Sequence, residues 1–491
     1  MPARPANLLF ILSDEHNPKA MGCAGHPFVT TPNLDALAAG GVRFTAASTP
    51  CPICVPARAA LATGQPMHRM GRFFDNADPY EGSIRSWHHA LRDAGRSVVS
   101  IGKLHFRGLP GDASRGLAPD DHGFSREVLA MHVVDGKGDL LALIRDHDMQ
   151  RRQGAYKMAA MAGPGESDYT RYDRDITAAA QVWLREEAAR QERPWCLFVS
   201  LVTPHFPLTA PPEHYYRYLD IPLPKLHDQT PEEQHPFIRD YRSIMAYGDH
   251  AKDEPTLRRM LAGYYGLVSF LDEQVGKILR CLEDCGLSDT THVLYTSDHG
   301  DNAGARGLWG KSTMFEESAG IPMILAGPGV ARGRVIGTPV SLTDVYATIV
   351  EGVGLTEPPP AGSTSLFAVA EGAEADRACL SEYHATGSRE AAFMLREGRY
   401  KYVRYITYPP QLFDLETDPE ELRDLAGDPA HAALLARLEA RLRERLDPAA
   451  VDRMAKARQA QLVEENGGRA AVLARGDLPY SPPPGVRPNW N

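Results

Sequence analysis

Four apolar runs that each end in acidic or basic residues constrain the fold of this chain more than any other feature. The runs cover residues 7–13, 97–101, 194–202 and 292–296, and the residues that follow them are Asp14 and Glu15, Lys103 and His105, His205, and Asp298 and His299. Helical patterns lie between the runs, and this alternation predicts an α/β fold with an open sheet. Because ligands bind outside the carboxyl ends of such strands, we expect the polar residues to form one site.

The sequence predicts a large α/β domain followed by a smaller one. With 491 residues, the chain is long enough for more than one domain. A Pro-rich stretch at 357–360 separates an α/β domain at 1–365 from an α+β subdomain at 366–466. The subdomain is predicted from a hairpin over 392–404 and from a helix capped by Asp428.

Two further segments are predicted to be irregular. Residues 467–491 are rich in proline near their end, and we expect an extended arm that lies across a neighbouring subunit of a homo-oligomer. Residues 107–170 are rich in Gly, Asp and His, which favours a loop excursion over the site.

Composition excludes several classes of protein. The net charge of −10 gives no general attraction to nucleic acid, and seven cysteines in 491 residues do not form a disulfide scaffold. No apolar run reaches about 18 residues, so we predict no membrane span. The first residues lack the pattern of a signal peptide, which favours a cytoplasmic location.

The acidic residues at the strand ends predict a metal site. Asp14, Glu15, Asp298 and His299 offer mainly oxygen ligands, which suit Ca²⁺, Mg²⁺ or Mn²⁺ better than structural zinc. Helix capping is the alternative role of each acid taken alone. His16 alternates away from Glu15 if the strand geometry continues.

Basic residues accumulate at the same predicted edge. Arg58, Lys103, His105, His205 and Lys311 would offset the charge of a tetrahedral oxyanion. The alternatives are solvated lysines at strand ends and, for His205, a loop histidine held between prolines.

Two cysteines, Cys51 and Cys54, form a C-x-x-C pair ahead of an Ala-rich helical stretch. A redox role is disfavoured because no strand runs directly into the pair. A zinc role is disfavoured because no further Cys or His follows at short spacing. We interpret Cys51 as a packing residue.

The segment Cys54-Val-Pro-Ala-Arg58, followed by Thr63-Gly64, resembles the sulfatase signature C-x-P-S-R with its trailing T-G, with Ala57 in place of the serine. Other elements resemble sulfatases in the expected order along most of the chain. They are the strand ending at Asp14, Gly102-Lys103-x-His105, Pro204-His205-x-Pro207, Ser297-Asp298-His299-Gly300, Lys311 after Gly307-Leu-Trp-Gly, and residues 412–422.

The resemblance implies an alkaline-phosphatase-like sandwich with a central, mostly parallel sheet flanked by helices. It also implies oxidation of Cys54 to formylglycine by a formylglycine-generating enzyme. One hydroxyl of the aldehyde hydrate would attack sulfur to form a covalent sulfo-enzyme, and collapse to the aldehyde would then expel sulfate. The implied metal ligands are Asp14, Glu15, Cys54, Asp298 and His299. Arg58 and Lys103 would orient the nucleophile, His105 would take the proton that starts the collapse, and His205 and Lys311 would bind the sulfate and assist the leaving oxygen.

Two positions depart from many sulfatases: Glu15 stands where many have Asp, and His299 where many have Asn. Asp298 followed by His299 resembles the choline-sulfatase and phosphonate monoester hydrolase branch, and Asn76 resembles the substrate-side asparagine of that branch. The metal is therefore expected to be Ca²⁺ or Mn²⁺, and the substrate a sulfate, phosphonate or phosphodiester ester. Members of the branch are oligomers, so we expect a dimer or tetramer.

Two further expectations concern the pocket and the activity. Residues 107–170 and 210–255, with Glu382 and His384, are expected to shape the side of the pocket that holds the alcohol. A non-catalytic sulfatase-like binding protein is the alternative from another functional class.

Overall fold

The computed structural model describes residues 6–111, 118–147, 149–224, 233–373 and 376–490. Parts of three segments discussed above lie outside the described residues. They are 112–117 and 148 in the segment 107–170, 225–232 in the segment 210–255, and Asn491 in the segment 467–491. The strands are β1 Asn7–Asp14, β2 Gly41–Phe44, β3 Ala47–Ser48, β4 Val98–Lys103, β5 Arg126–Met131, β6 Gly163–Pro164, β7 Cys196–Pro204, β8 Thr209–Ala210, β9 Thr291–Ser297, β10 Met323–Ala326, β11 Arg334–Ile336, β12 Val340–Ser341, β13 Ala378–Tyr383, β14 Ala392–Glu397, β15 Tyr400–Tyr405 and β16 Gln411–Asp414.

The α-helices follow the predicted alternation with strands in the first part of the chain. They are α1 Pro32–Ala39, α2 Cys54–Thr63, α3 Met67–Met70, α4 Trp87–Asp93, α5 Tyr156–Ala160, α6 Asp168–Glu186, α7 Pro212–Tyr215, α8 Pro236–Met245, α9 Glu254–Asp284, α10 Glu316–Ala319, α11 Asp344–Gly352, α12 Leu366–Ala370, α13 Ala432–Arg443, α14 Pro448–Glu465 and α15 Gly468–Ala474. Within the described residues, no helix is both long enough and apolar enough to cross a membrane.

An eight-stranded sheet in the order β11-β2-β10-β9-β1-β7-β4-β5 forms the centre of the fold. Its pairs are parallel except where β10 runs antiparallel to both of its neighbours, β9 and β2. The predicted α/β class with a mostly parallel sheet is therefore confirmed. The four strands predicted from apolar runs, β9, β1, β7 and β4, lie side by side in the middle of the sheet.

Helices cover both faces of this sheet. Strand β1 is apolar at every position in its middle, and its side chains pack against helices on each face. Leu8 and Phe10 belong to one core cluster with residues of α4 and α11. Leu9 and Ile11 belong to another with residues of α6 and α9. Successive side chains of a strand point to opposite faces, so a strand buried on both sides reads as a continuous apolar run.

The prediction of a structureless loop at 107–170 is wrong in part. Strand β5 extends the sheet beside β4, and α5 forms further on. Sequence patterns missed β5 because it is an edge strand with only Met131 fully buried, so it lacks an apolar run.

The C-terminal part contains a separate antiparallel sheet in the order β13-β14-β15-β16. The predicted hairpin is β14 with β15, and Asp428 accepts a hydrogen bond from the backbone N–H of Ala430 at the start of the predicted helix. Leu438 and Leu442 of α13 are buried in the core of this part.

The terminal arm differs from the prediction of an extended segment. Its first part folds into α15, which packs beside α14. The remainder is extended and lies against its own chain, where Asp477 and Tyr480 contact residues of the first domain.

Candidate active site

The predicted meeting of strand ends is observed. β1 ends at Asp14, which lies opposite Pro204 at the end of β7, and Ser13 lies opposite Ser297 at the end of β9. His205 and Asp298 are the next residues after these two ends, and β4 ends at Lys103. Parallel, adjacent strands therefore bring all four clusters to one edge of the sheet.

Cys54 is the first residue of α2 and is buried beside this edge. Its Sγ lies 3.1 Å from Nε2 of His299, 3.2 Å from Nζ of Lys311 and 3.7 Å from Oδ1 of Asp14. Burial, and then the charge of Asp14, raise the pKa of the thiol to about 12. The unmodified side chain would therefore be a thiol, and not a thiolate nucleophile, at neutral pH.

Four side chains form a compact set of possible metal ligands. The ligand atoms of Asp14, Cys54, Asp298 and His299 all lie within 4.8 Å of one another. Nε2 of His299 lies 3.8 Å from Oδ1 of Asp14 and 3.7 Å from Oδ1 of Asp298. Carboxylate oxygens with one imidazole suit a hard divalent cation.

Glu15 adds a second observation that favours a cation. Its Oε1 is buried without a hydrogen-bond partner. Burial raises the pKa of Glu15 to about 8, Lys311 opposes this rise, and the charge of Asp301 adds to it. A cation beside these carboxylates would offset their repulsion and satisfy the unpartnered oxygen.

Arg58 and Lys103 lie behind the carboxylates. Nε of Arg58 donates to Oδ2 of Asp298 at 2.8 Å, and one of its terminal nitrogens lies 3.3 Å from Oδ2 of Asp14. Lys103 forms an ion pair with the same oxygen of Asp14. Burial alone would raise the pKa of Asp14, but these cations and others hold it well below its usual range.

His105, His205 and Lys311 line a cavity together with Cys54 and Asn76. Burial lowers the pKa of both histidines well below the usual range, and the charges of Lys103 and Lys311 add to the effect at His105 and His205 respectively. Neither ring nitrogen of His105 has a hydrogen-bond partner. Oδ1 of Asn76 accepts from the backbone N–H of Val55, beside Cys54.

The C-terminal segment 477–481 covers part of this cavity, which has a volume of about 90 Å³. Arg152 donates to Oδ1 of Asp477 at 3.1 Å, and the hydroxyl of Tyr169 donates to the backbone oxygen of Ser481 at 2.6 Å. The ring of Tyr480 packs against Phe206 with centroids 5.6 Å apart. Sequence reasoning missed these residues because nothing in the arm indicates which surface it covers.

Several other residues considered from the sequence lie away from the cavity. His16 contacts the hydroxyl of Tyr295 and the backbone oxygen of Ala20, away from the cavity. Glu382 lies between His68 and His384, and neither Glu382 nor His384 is among the residues that line the cavity. Cys51 is buried in an apolar cluster, and all seven cysteines are free.

Asp301 is a site residue to which the sequence assigned no role. Burial raises its pKa, and its carboxylate faces that of Glu15. The signal was present, because Asp301 closes the polar run that begins at Ser297.

The sheet with helices on both faces and the acid-lined edge define an alkaline-phosphatase-like α/β protein. The family model described as Sulfatase matches residues 6–355, and the model described as N-sulphoglucosamine sulphohydrolase, C-terminal, matches residues 304–447. The chain therefore belongs to the sulfatase family, which is a family of sulfuric ester hydrolases.

Individual relatives agree with this assignment. The chain is 35% identical to a choline-sulfatase of Rhizobium meliloti over 86% of this chain and 83% of the relative. It is 28% identical to arylsulfatase K of Danio rerio over 86% and 80% of the two chains. Among solved structures, the phosphonate monoester hydrolase of Silicibacter pomeroyi superposes with a TM-score of 0.71 at 25% identity and covers 90% of this chain and 96% of that one.

Proposed function

We propose that this chain hydrolyses sulfate esters at residue 54, after oxidation of Cys54 to formylglycine, with a Ca²⁺ or Mn²⁺ ion as cofactor. The observation that carries the proposal is the position of Cys54. Its sulfur lies at the floor of a cavity, within 3.7 Å of an acid, an imidazole and an ammonium group from three distant parts of the chain.

The side chains fit both groups that the family implies. Asp14, Glu15, Asp298, His299 and modified residue 54 would hold the cation. When these groups are bound, the metal lowers the pKa of a hydroxyl that the hydrated aldehyde at residue 54 supplies.

Arg58 and Lys103 act by positioning. Their charges fix Asp14 and Asp298 in one geometry, and charge-assisted hydrogen bonds of this kind are the strong ones. Because both cations are buried against these carboxylates, they would support them during the reaction without direct contact with the alcohol.

His105, His205 and Lys311 are the groups that would meet the substrate. Lys311 faces residue 54, since its Nζ lies 3.2 Å from Sγ of Cys54 and 2.9 Å from Oε2 of Glu15. It would offset the negative charge of the transferring group. His105 is neutral and unpartnered, so it can accept the proton that must leave residue 54.

The alcohol side of the cavity favours a small cationic group. Asp139 and Asp477 both pair with Arg152, which leaves one net negative charge among the three. Tyr247, Phe206 and Tyr480 add aromatic rings to the same wall, and such rings attract quaternary ammonium groups. Choline sulfate is therefore the first substrate to test, in accord with the name of the relative that is 35% identical.

The test is a substrate panel with enzyme of known modification and metal content. The mass of the peptide that contains residue 54 gives the degree of oxidation. We expect choline sulfate and an aryl sulfate to be hydrolysed, with rates that follow the oxidised fraction. A protein that is fully oxidised and metal-loaded but hydrolyses neither ester would contradict the proposal.

Phosphonate monoester or phosphodiester hydrolysis is the second candidate. The observation that favours it is the pairing of Asp298 with His299 in the ligand set, together with the similarity to a phosphonate monoester hydrolase. Much faster turnover of an aryl phosphonate than of either sulfate would support this candidate instead. Binding of choline sulfate without turnover of any ester would support a non-catalytic binding protein.

A subunit assembly with the C-terminal arm at the interface also stays a proposal. In a single chain, Asp477 and Ser481 contact their own cavity wall. The mass of the assembly before and after removal of residues 476–491 tests the arm, and an unchanged mass would rule out a role in assembly.

A further inference from the structure

A second group of metal-ligating side chains lies outside the candidate active site. Its members are His122, Glu127 and His132, whose ligand atoms all lie within 4.8 Å of one another. Nδ1 of His122 lies 2.8 Å from one oxygen of Glu127, and Nε2 of His132 lies 3.4 Å from the other. We refer to these three residues as the edge cluster, since Glu127 belongs to the edge strand β5.

The backbone departs from regular geometry to form this cluster. Glu127 and His132 are five residues apart, and a regular strand would point two such side chains to opposite faces. One extra residue is present in β5, because Ile101 pairs with Val128 whereas Lys103 pairs with Met131. Leu129, at the irregularity, has a φ of 52°, which a leucine rarely adopts. This bulge restores both side chains to one face.

The surroundings leave room for the imidazole of His132. A Cβ added to Gly108 would lie 2.3 Å from the His132 ring, so only glycine fits at that position without a shift. The ring of His122 packs against Phe106 with centroids 5.1 Å apart. His122 is buried, whereas Glu127 and His132 are each about a quarter exposed, which leaves the cluster open to solvent on one side.

The donor atoms lie close enough together to reach one tetrahedral zinc ion. Bonds of about 2.0–2.1 Å in that geometry separate neighbouring donors by about 3.3 Å. The distances from His122 and His132 to the two oxygens of Glu127, 2.8 Å and 3.4 Å, lie on either side of this value. Two histidines and one glutamate are also a ligand set that zinc adopts with a fourth position left for water.

We propose that the edge cluster is a zinc site with His122, Glu127 and His132 as ligands. It differs in chemistry from the candidate active site, where carboxylates predominate. Its binding energy would tie the segment before β5 to that strand. Met131, the neighbour of His132, accepts a hydrogen bond from the backbone N–H of His105 at 2.8 Å, so the zinc site would also stabilise the backbone that carries His105.

The test uses the full-length protein, stripped of metal and then titrated with Co²⁺, which reports its coordination by visible absorption, and with Zn²⁺ by calorimetry. The variants are His132→Gln and Glu127→Gln. The matched control is His431→Gln, because His431 also pairs with an acid, Asp428 at 3.2 Å, but belongs to no such cluster among the described residues.

Wild type and His431→Gln are expected to bind one more ion per chain than the two cluster variants. The difference between their Co²⁺ spectra and those of the variants should show the bands of tetrahedral Co²⁺ without a thiolate charge-transfer band. Loss of one ligand should weaken Zn²⁺ binding at this site about tenfold or more. Equal stoichiometry and equal spectra in all four proteins would overturn the proposal.

Folding of the variants is checked by circular dichroism. If His132→Gln does not fold, Glu127→Gln, which keeps the shape of the side chain, decides the outcome. A rise in melting temperature with Zn²⁺ in wild type but not in Glu127→Gln gives the same answer by a separate measurement. Because neither readout uses ester hydrolysis, failure of this proposal and failure of the proposed activity are distinguishable.

Discussion

Glu15 and Glu317 are both buried glutamates, and the environments of the two carboxylates are opposite. Oε1 of Glu317 lies 2.7 Å from Nζ of Lys19, and its Oε2 pairs with Arg306. Glu15 has Lys311 and His205 at one oxygen, while the other oxygen has no partner.

The pKa values follow from this difference. Burial would raise the pKa of Glu317, but Arg306 and Lys19 lower it to about 2, whereas burial raises that of Glu15 to about 8. Buried charge alone therefore does not mark a functional site. A carboxylate with a cation at each oxygen holds two parts of the fold together, and one with an unpartnered oxygen is poised for a ligand.

The largest effect is expected at residue 54, in the centre of the candidate active site. Cys54→Ala removes the precursor of the proposed nucleophile and should lower kcat for sulfate esters by about 10⁶-fold, the size of loss that follows removal of a covalent nucleophile. Steady-state rates on an aryl sulfate measure the loss.

Cys51→Ala is the matched control for that variant. Cys51 lies three residues earlier and packs in an apolar cluster, so its loss should lower the unfolding free energy by about 1–2 kcal/mol and leave kcat unchanged. If Cys54→Ala retains wild-type kcat, residue 54 is not the nucleophile.

The next largest effect separates the two glutamates directly. Glu15→Gln should lower kcat/KM at least about 100-fold through weaker metal binding, yet leave the metal-free protein as stable as before, because a carboxyl group with a pKa of about 8 is already mostly neutral at pH 7. Glu317→Gln should leave kcat/KM intact and lower the unfolding free energy by about 3 kcal/mol, because Lys19 and Arg306 lose their buried counter-charge.

Urea denaturation and steady-state kinetics on both variants check this prediction. If the two substitutions change stability and activity in the same proportion, the distinction between a functional Glu15 and a structural Glu317 is wrong.

The fold could be predicted from the sequence where consecutive residues of one strand are all buried. The strands that contain Phe10 and Leu294 are apolar runs because helices cover both faces of the sheet, and such runs are visible in a single sequence. Strand β5 was not predictable, because an edge strand needs no apolar run and its pairing depends on β4.

The candidate site likewise contains residues that could be predicted from the sequence and residues that could not. Asp14 and Asp298 could be predicted because they follow buried strands directly. The pairing of Arg152 with Asp477 could not, because 325 positions separate the two residues and no local pattern links them. Likewise, only the three-dimensional structure reveals that Arg58 is engaged by the carboxylates.

A smaller effect is expected on the pH dependence of the stability that Glu317 contributes. Its pKa is about 2 in the folded protein against an ordinary value of 4.5, so it contributes stability above pH 4.5 that is lost as the pH falls toward 2. The shift corresponds to at most about 3 kcal/mol. The stability difference between wild type and Glu317→Gln should therefore shrink as the pH falls below 4.5, as measured by urea denaturation at several pH values. A difference that stays constant down to the acid limit of folding would mean that the carboxylate charge contributes nothing.

The smallest effect concerns Asp477, a paired charge that nevertheless lines the cavity. It shares Arg152 with Asp139 and accepts from the backbone N–H of Gly154 at 2.7 Å. Like Glu317, it is therefore a paired carboxylate with a structural role. Asp477→Asn keeps the acceptor for Gly154 but loses one charge, and the C-terminal segment should hold the substrate less firmly. We expect KM to rise by a few-fold with kcat nearly unchanged, in line with loss of uniform binding.

The control for Asp477→Asn is Asp135→Asn. Asp135 is 70% exposed and pairs with Arg475 at 3.3 Å, so it links the same two segments of chain. An exposed pair of this kind contributes little, and its loss should change neither KM nor stability measurably. Steady-state kinetics on choline sulfate compare the two variants. If Asp477→Asn instead lowers kcat by two orders of magnitude, the carboxylate acts in the chemical step, and complete pairing would no longer distinguish structural charges from functional ones.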